Sequence, residues 1–441
     1  MSQTVAIPVA VPARRGGNAI VIIGILFFIF GFTTWLNSTL IPFLKLTCQL
    51  TNDLQAFLVT TAFYMSYFVL GIPASVILKK TGFKNGMSWG LIVMALGSLI
   101  FIPAAQTRSF PLFLLGLFVQ GSGLTLLQTA SNPYATILGP IESAARRISI
   151  LGICNKVAGA ISPLILGALV LKGADALEAK INAATGTLKD QLLNEMAGRI
   201  IPPYIIMAIV LVLLAVGIRL SSLPEIDVDK DSSEGTNSPR TSVFQYPYLV
   251  LGVICLFLYV GVEVMAGDAI GMYGRSMGMN LDTTRYFTTF TLLAMLLGYI
   301  TGIFTIPKYM SQQTGLKLSA IAGIAFTICA QLSHGYVAIT FIALLGLANA
   351  LMWPAIWPLA IDGLGKFTKI GSGLLIMGIA GGALIPLLYG TLKGRPAIGN
   401  SLAFFICTLP CYLYILYYSI FGYKVGRTVV HKHALEKEFL N

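Results

Sequence analysis

Three ionisable side chains, Lys156, Glu263 and Asp268, fall inside stretches that are otherwise apolar. A charge within a membrane-length apolar run costs about 3 kcal/mol on insertion scales, so it pairs with, binds or carries something. Glu263 and Asp268 share the run 246–274, beside Gly261 and Gly267. Their spacing sets them roughly 140° apart on a regular helix. Unwinding at Gly267 would bring them to one site, where freed carbonyls and a carboxylate form an oxygen cage suited to sodium. On this reading Asp268, with Glu263, binds a cation; the competing reading is that one of them pairs with Lys156. Lys156 itself has three readings: a fixed substitute for a bound cation, a donor to a substrate hydroxyl, or a partner for a carboxylate of the other half of the chain. The third, with pairing that alternates between two arrangements of the halves, is preferred.

A second constellation is uncharged. Asn37, Gln128, Asn132, Asn155 and Asn349 are amides in apolar runs, and Trp35, Tyr64, Trp353 and Trp357 accompany them. Amides match the many hydroxyls of a sugar and aromatic faces match the apolar side of its ring. Each amide could instead bridge two helices. Trp353 and Trp357 are one turn apart and share a face, whereas Trp89 fits an anchor at the membrane interface. The six cysteines and three histidines show no CxxC or metal-ligand spacing. No Ser/His/Asp set is present either. The sequence therefore predicts no enzyme and no cofactor beyond a coupling ion, Na+ or H+.

The elements that hold these residues are helices. Of 441 residues, 56% are hydrophobic and 10% charged, against about 25% charged in soluble domains. Lipid must cover much of the surface. The net charge of +12 is spread over short loops, so it marks membrane topology and no nucleic-acid partner. Twelve apolar runs are long enough to cross a bilayer: 18–44, 53–78, 86–105, 110–138, 146–171, 201–222, 246–274, 285–307, 317–334, 336–361, 370–392 and 401–423. The expected organisation is an N-terminal tail (1–17), a six-helix bundle (18–223), a polar linker (224–245), a second bundle (246–424) and a C-terminal tail (425–441). Residues 173–200 read as one short amphipathic helix outside the bilayer. Lys and Arg concentrate in the loops on the side of the two termini, which predicts a monomeric multi-pass protein of the cell (inner) membrane with both ends cytoplasmic. Arg275 and Asp362, near helix ends, are expected to be solvated.

The two halves repeat. Thr81-Gly82-Phe83-Lys84 matches Thr314-Gly315-Leu316-Lys317, AGAISPLILG at 158–167 matches GGALIPLLYG at 381–390, and Asn132-Pro133 matches Trp353-Pro354. Two homologous bundles around a midplane cavity form an alternating-access design. The stretches TTWLNSTLIPFL, AFYMSYFVLGIPASVILKKTGFKNG, LLQTASNPYATILGP, RRISILGICNKVAGAISPLILG and LYVGVEV resemble the fucose permease and glucose/galactose transporter branch of the major facilitator superfamily, over essentially the whole chain. The resemblance implies a twelve-helix all-α membrane fold and secondary transport of a hexose or related sugar by cation symport. The runner-up readings are a drug or metabolite antiporter and a sugar uniporter. The chain departs from the proton-coupled members at two places. Where they carry Asn-Asp in span one it has Asn37-Ser38, and where they carry Glu in span four it has Gln128. Proton coupling through those positions does not carry over.

Overall fold

A computed structural model of the chain describes residues 13–137, 144–221, 223, 241–306, 309–364 and 367–427. Of the expected tails (1–17 and 425–441) and linker (224–245), residues 1–12, 224–240 and 428–441 lie outside the described residues. Among the described residues twelve helices are long and apolar enough to cross a membrane. No strand occurs among them. Helices satisfy every backbone group within the segment, which hydrocarbon demands.

Several spans are interrupted, and the interruptions position the site. Span one runs Ala13–Thr34 and resumes as Asn37–Thr47. The expected boundary at residue 18 therefore lies inside this helix. Span seven runs Pro247–Gly267 and resumes as Ile270–Ser276. Span ten breaks between Gly335–Asn349 and Met352–Ile361. There Pro354 removes one backbone donor and its ring crowds the carbonyl four residues earlier, at Ala350. Span eleven breaks between Thr368–Gly378 and Gly381–Lys393, where Gly378, Gly381 and Gly382 lower helix propensity. Spans two (Asp53–Thr81), four (Phe110–Ile137) and five (Ala144–Val170) are continuous. Span eight is a short turn, Leu281–Thr284, followed by Phe287–Thr305.

Close approach within each half uses a glycine at corresponding interfaces. A Cβ on Gly31 would lie 1.8 Å from the Asn155 carbonyl oxygen, between spans one and five. A Cβ on Gly381 would lie 1.7 Å from the Phe257 carbonyl oxygen, between spans eleven and seven. The halves meet along two other seams. Between spans two and eleven, Thr61 donates to the Ala383 carbonyl at 3.2 Å. Between spans five and eight, Thr289 donates to the Ala160 carbonyl at 3.0 Å.

Residues 173–200 form two helices, Ala174–Ala183 and Gly186–Gly198, where one was expected. Gly186 turns the chain with φ of 59°. Leu177, Ile181, Leu193 and Met196 are buried beneath this hairpin. Its first helix grips the other half. Glu178 accepts from Arg275 at 2.9 and 3.0 Å, and the Asp175 carboxylate accepts the backbone N–H groups of Leu281 and Asp282 at 2.8 and 2.9 Å. Arg275 is thus paired, where the sequence suggested solvation; a long side chain at a helix end reaches acids that only tertiary packing brings near. Asp362 remains exposed at its surface but pairs with Arg427 at 2.6 Å. On the same face as the hairpin, Lys393 of span eleven pairs with Asp53 of span two at 2.5 Å, and Lys45 also bonds to Asp53. Polar side-chain contacts join the halves both at mid-depth and on this face.

Candidate functional site

A cavity of about 120 Å³ lies where the halves meet. Of the residues singled out by sequence, Trp35, Tyr64, Gln128, Asn132, Asn155, Lys156, Glu263 and Trp353 line it. The break in span one delivers Trp35, and continuous spans four and five deliver the amides and Lys156. The Gly267 end of span seven's first helix delivers Glu263, one turn from Tyr259.

The centre is an ion pair between halves. Lys156 Nζ of span five bonds to Glu263 Oε1 of span seven at 2.7 Å. Both residues are nearly sealed, at 7% and 8% exposure. The same ammonium lies 5.0 Å from the Trp35 ring centroid, a cation–π contact. A pair this deep is held by geometry and neighbouring contacts, because removing either member strands the other charge in a dry site. Lys156 therefore reaches a carboxylate of the other half, a contact that both a fixed structural pair and an alternating one would make.

The amides fix their orientations on neighbours while facing the cavity. Gln128 Nε2 donates to Tyr67 Oη at 3.0 Å, and Asn155 Nδ2 donates to the Phe27 carbonyl at 3.3 Å. Each keeps its amide oxygen as an acceptor for a hydroxyl. Tyr64 and Tyr67 stack with ring centroids 6.3 Å apart. Across the cavity, Trp353 tilts over Tyr259 at 6.4 Å.

Four of the residues singled out by sequence do not line the cavity. Asn349 is fully buried and accepts from Tyr412 Oη at 2.9 Å, bridging spans ten and twelve. Trp357 stacks on Trp353 at 5.5 Å, continuing the aromatic stripe beyond the cavity as one helical turn dictates. Asn37 is sealed, with neither amide atom hydrogen-bonded. Asp268 is 1% exposed, and neither carboxylate oxygen has a hydrogen-bond partner. Span seven does break beyond Gly267, but Asp268 still has helical dihedrals and bonds its N–H to the Val264 carbonyl, so the two acids keep the separation of a regular helix. Glu263 turns to the cavity, and Asp268 turns behind it toward the backbone N–H of Ser38. Among the described residues no three His, Cys, Asp or Glu side chains cluster as metal ligands.

The structure adds Phe27, Phe30, Thr34, Tyr67, Tyr259 and Tyr299 to the lining. Tyr67 follows Tyr64 by three residues and Tyr259 precedes Glu263 by four, so helical spacing places each on the face of a residue already chosen. Tyr299 carries no such signal. It reaches the cavity because Gly152 of span five leaves room for its ring, 3.0 Å from where a Cβ would stand.

The sequence profile of the Major Facilitator Superfamily matches residues 23–387. A protein of Brucella abortus called a glucose/galactose transporter is 35% identical over 414 residues, covering 93% of this chain and 95% of its own length. An L-fucose-proton symporter of Escherichia coli is 30% identical over 388 residues, covering 85% of this chain and 86% of its own. The crystal structure of FucP in the outward conformation superposes with a TM-score of 0.71 at 27% identity, over 91% of this chain and 98% of that one.

Proposed function

The chain belongs to the Major Facilitator Superfamily, and from that premise we propose that it imports a hexose or related sugar by proton symport through alternating access. The observation that carries this reading is the Lys156–Glu263 pair joining the two halves inside a cavity whose other walls are amides and aromatic rings. Gln128, Asn132 and Asn155 hydrogen-bond sugar hydroxyls, and Trp353 and Tyr259 offer ring faces to the apolar side. Trp35 and Tyr64 close the wall opposite. A hydrophobic drug would favour a cavity with fewer amides, which weighs against an antiporter of such compounds. The relatives called glucose/galactose transporter and L-fucose-proton symporter support sugar as the cargo.

The coupling ion is assigned to Asp268, as a proton. A carboxylate sealed without a partner costs several kcal/mol as an ion and far less as the neutral acid. The relative called an L-fucose-proton symporter supports a proton in this role. Glu263 acts with Lys156 as a lock between the halves, broken and remade as they rock. The protein works as a monomer in the inner membrane with both termini cytoplasmic, and it needs no cofactor beyond the ion.

Counterflow of a radiolabelled sugar panel in proteoliposomes, under imposed proton or sodium gradients, tests this. One hexose-type sugar is expected to accumulate when the interior is alkaline, without sodium. Accumulation driven by sodium alone would replace the proton, and facilitated flux that no gradient drives uphill would make the protein a uniporter. Uphill, proton-driven accumulation retained in Asp268→Asn would remove Asp268 from the role.

A further inference from the structure

Spans one and seven break at one level of the structure, one span from each half, and Trp35 stands between the breaks. Its side chain is 2% exposed yet forms part of the cavity wall. Two glycines make its slot. A Cβ on Gly159 of span five would lie 2.3 Å from Trp35 Cδ1, and a Cβ on Gly267 of span seven would lie 2.0 Å from its Cζ3. Any larger residue at either place would force the indole to move. Ala160, Leu292, Met295, Tyr299 and Ala350 complete its apolar surroundings. Asp268 directly follows Gly267, is absent from the cavity lining, and faces the Ser38 backbone N–H just past the break that carries Trp35.

The indole therefore belongs to one half, rests on Gly159 of that half, and closes on the Gly267 break of the other. Resting on the assignment of Asp268 as proton carrier, we propose that Trp35 is the coupling residue: its indole seals the Asp268 chamber from the sugar cavity while the halves are packed as here, and withdraws when they rock apart. Rocking lifts Gly267 away from a ring that stays on Gly159, so exposure of the carboxyl is tied to movement of the bundles. Substrate has a direct handle on this seal, because the indole's cavity side carries the Lys156 ammonium. The charged and titratable groups that sense Asp268 are Glu263 on its own span and Tyr64 of span two; both line the cavity. With the indole in place they stay in a compartment distinct from that of Asp268. Trp35 transfers no proton. It is a positioning residue that prevents protons from crossing without sugar.

The test is proton entry into proteoliposomes carrying an internal pH dye and an imposed pH gradient, without sugar. Trp35→Ala is expected to raise sugar-independent proton entry about tenfold over the wild type, a shift that a modest population of unsealed protein accounts for. Adding Asp268→Asn to Trp35→Ala is expected to abolish the leak. Gly267→Ala, which displaces the ring while keeping every polar group, is expected to leak in the same direction and serves if Trp35→Ala does not fold. A folded Trp35→Ala or Gly267→Ala protein as tight as wild type, or a leak unchanged by Asp268→Asn, overturns the seal. Loss of sugar-driven proton uptake in Asp268→Asn alone, alongside a tight Trp35→Ala, would sink the seal and keep the carrier. Retention of that uptake in Asp268→Asn would instead sink the carrier assignment, whatever Trp35→Ala does.

Discussion

The N-terminal and C-terminal halves share a plan but supply different chemistry to the cavity. Both halves line the cavity with rings, Phe27, Phe30, Trp35, Tyr64 and Tyr67 from the N-terminal half and Tyr259, Tyr299 and Trp353 from the C-terminal half, but the amides Gln128, Asn132 and Asn155 and the cation Lys156 come from the first and the carboxylate Glu263 from the second. Neither half can pair its own buried charge without the other. The hairpin after span five repeats this logic at one face. There the N-terminal half brings Asp175 and Glu178, and the C-terminal half brings Arg275 and the backbone donors of span eight. Division of complementary groups between the halves makes their separation costly, and this cost is available to couple opening to ligand.

The most severe way to break that complementarity is at its centre. Lys156→Met or Glu263→Gln is expected to destabilise the folded protein by about 3–5 kcal/mol, the usual cost of stranding one member of a buried pair, and to abolish uphill sugar accumulation. Thermal unfolding in detergent and gradient-driven uptake read the two effects. The double variant Lys156→Met/Glu263→Leu is expected to regain stability without regaining accumulation. Full coupled uptake in Lys156→Met would show that the pair is no lock.

A smaller effect is expected from the amides of one half. Gln128→Leu removes one amide of the proposed sugar wall and leaves Tyr67 Oη without its donor. Sugar affinity should fall about five- to 150-fold, as for a lost polar contact worth ~1–3 kcal/mol. Binding titration on purified protein measures it, with Asn155→Leu as the second arm. Normal affinity in both would reject the amide wall. Trp353→Ala, on the other half, should weaken binding about three- to tenfold and Trp353→Phe less, in keeping with ring-stacking magnitudes.

The mildest change is at the hairpin. Arg275→Glu combined with Glu178→Arg should restore what either single reversal loses in closure of this face, read as labelling of a cysteine placed in the seam. A few-fold change in labelling rate is expected for the single variants, since partly exposed pairs are worth little. Asp175 adds a pH signature. Partial burial works to raise its affinity for protons, but the N–H groups of Asp282 and Leu281 and the Arg275 guanidinium outweigh this and hold its carboxyl below the usual carboxylate range. A group so depressed contributes closure that is fully present above the unfolded carboxylate value and is lost as pH falls through its lower folded value. Labelling of the seam should therefore be flat from neutral pH down to about 4, the ordinary carboxylate pKa, and rise only below it. A rise centred near neutral pH would mean another group controls this face.

Much was legible in the chain before folding. Apolar length and scarcity of charge demanded twelve helices in lipid, since no other backbone arrangement of such runs satisfies its polar groups there. The cost of charge in hydrocarbon pointed to Lys156, Glu263 and Asp268, and helical spacing could have added Tyr67 and Tyr259. What sequence could not decide is which buried polar group faces water and which faces a neighbour. Asn155 and Asn349 look alike along the chain, yet Asn155 borders the cavity and Asn349 is bound to Tyr412. Two acids on one span left a shared cation site and a pairing with Lys156 both open, and packing brings Glu263 to Lys156 at the cavity while Asp268 lies outside its lining. Local periodicity fixes the face of a helix only while the helix continues, and partners from other spans are set by packing. Composition and hydrophobic length determined that this protein crosses a membrane; the contacts that only tertiary structure brings together decided that Lys156 meets Glu263 and that Trp35 stands over the break beside Asp268.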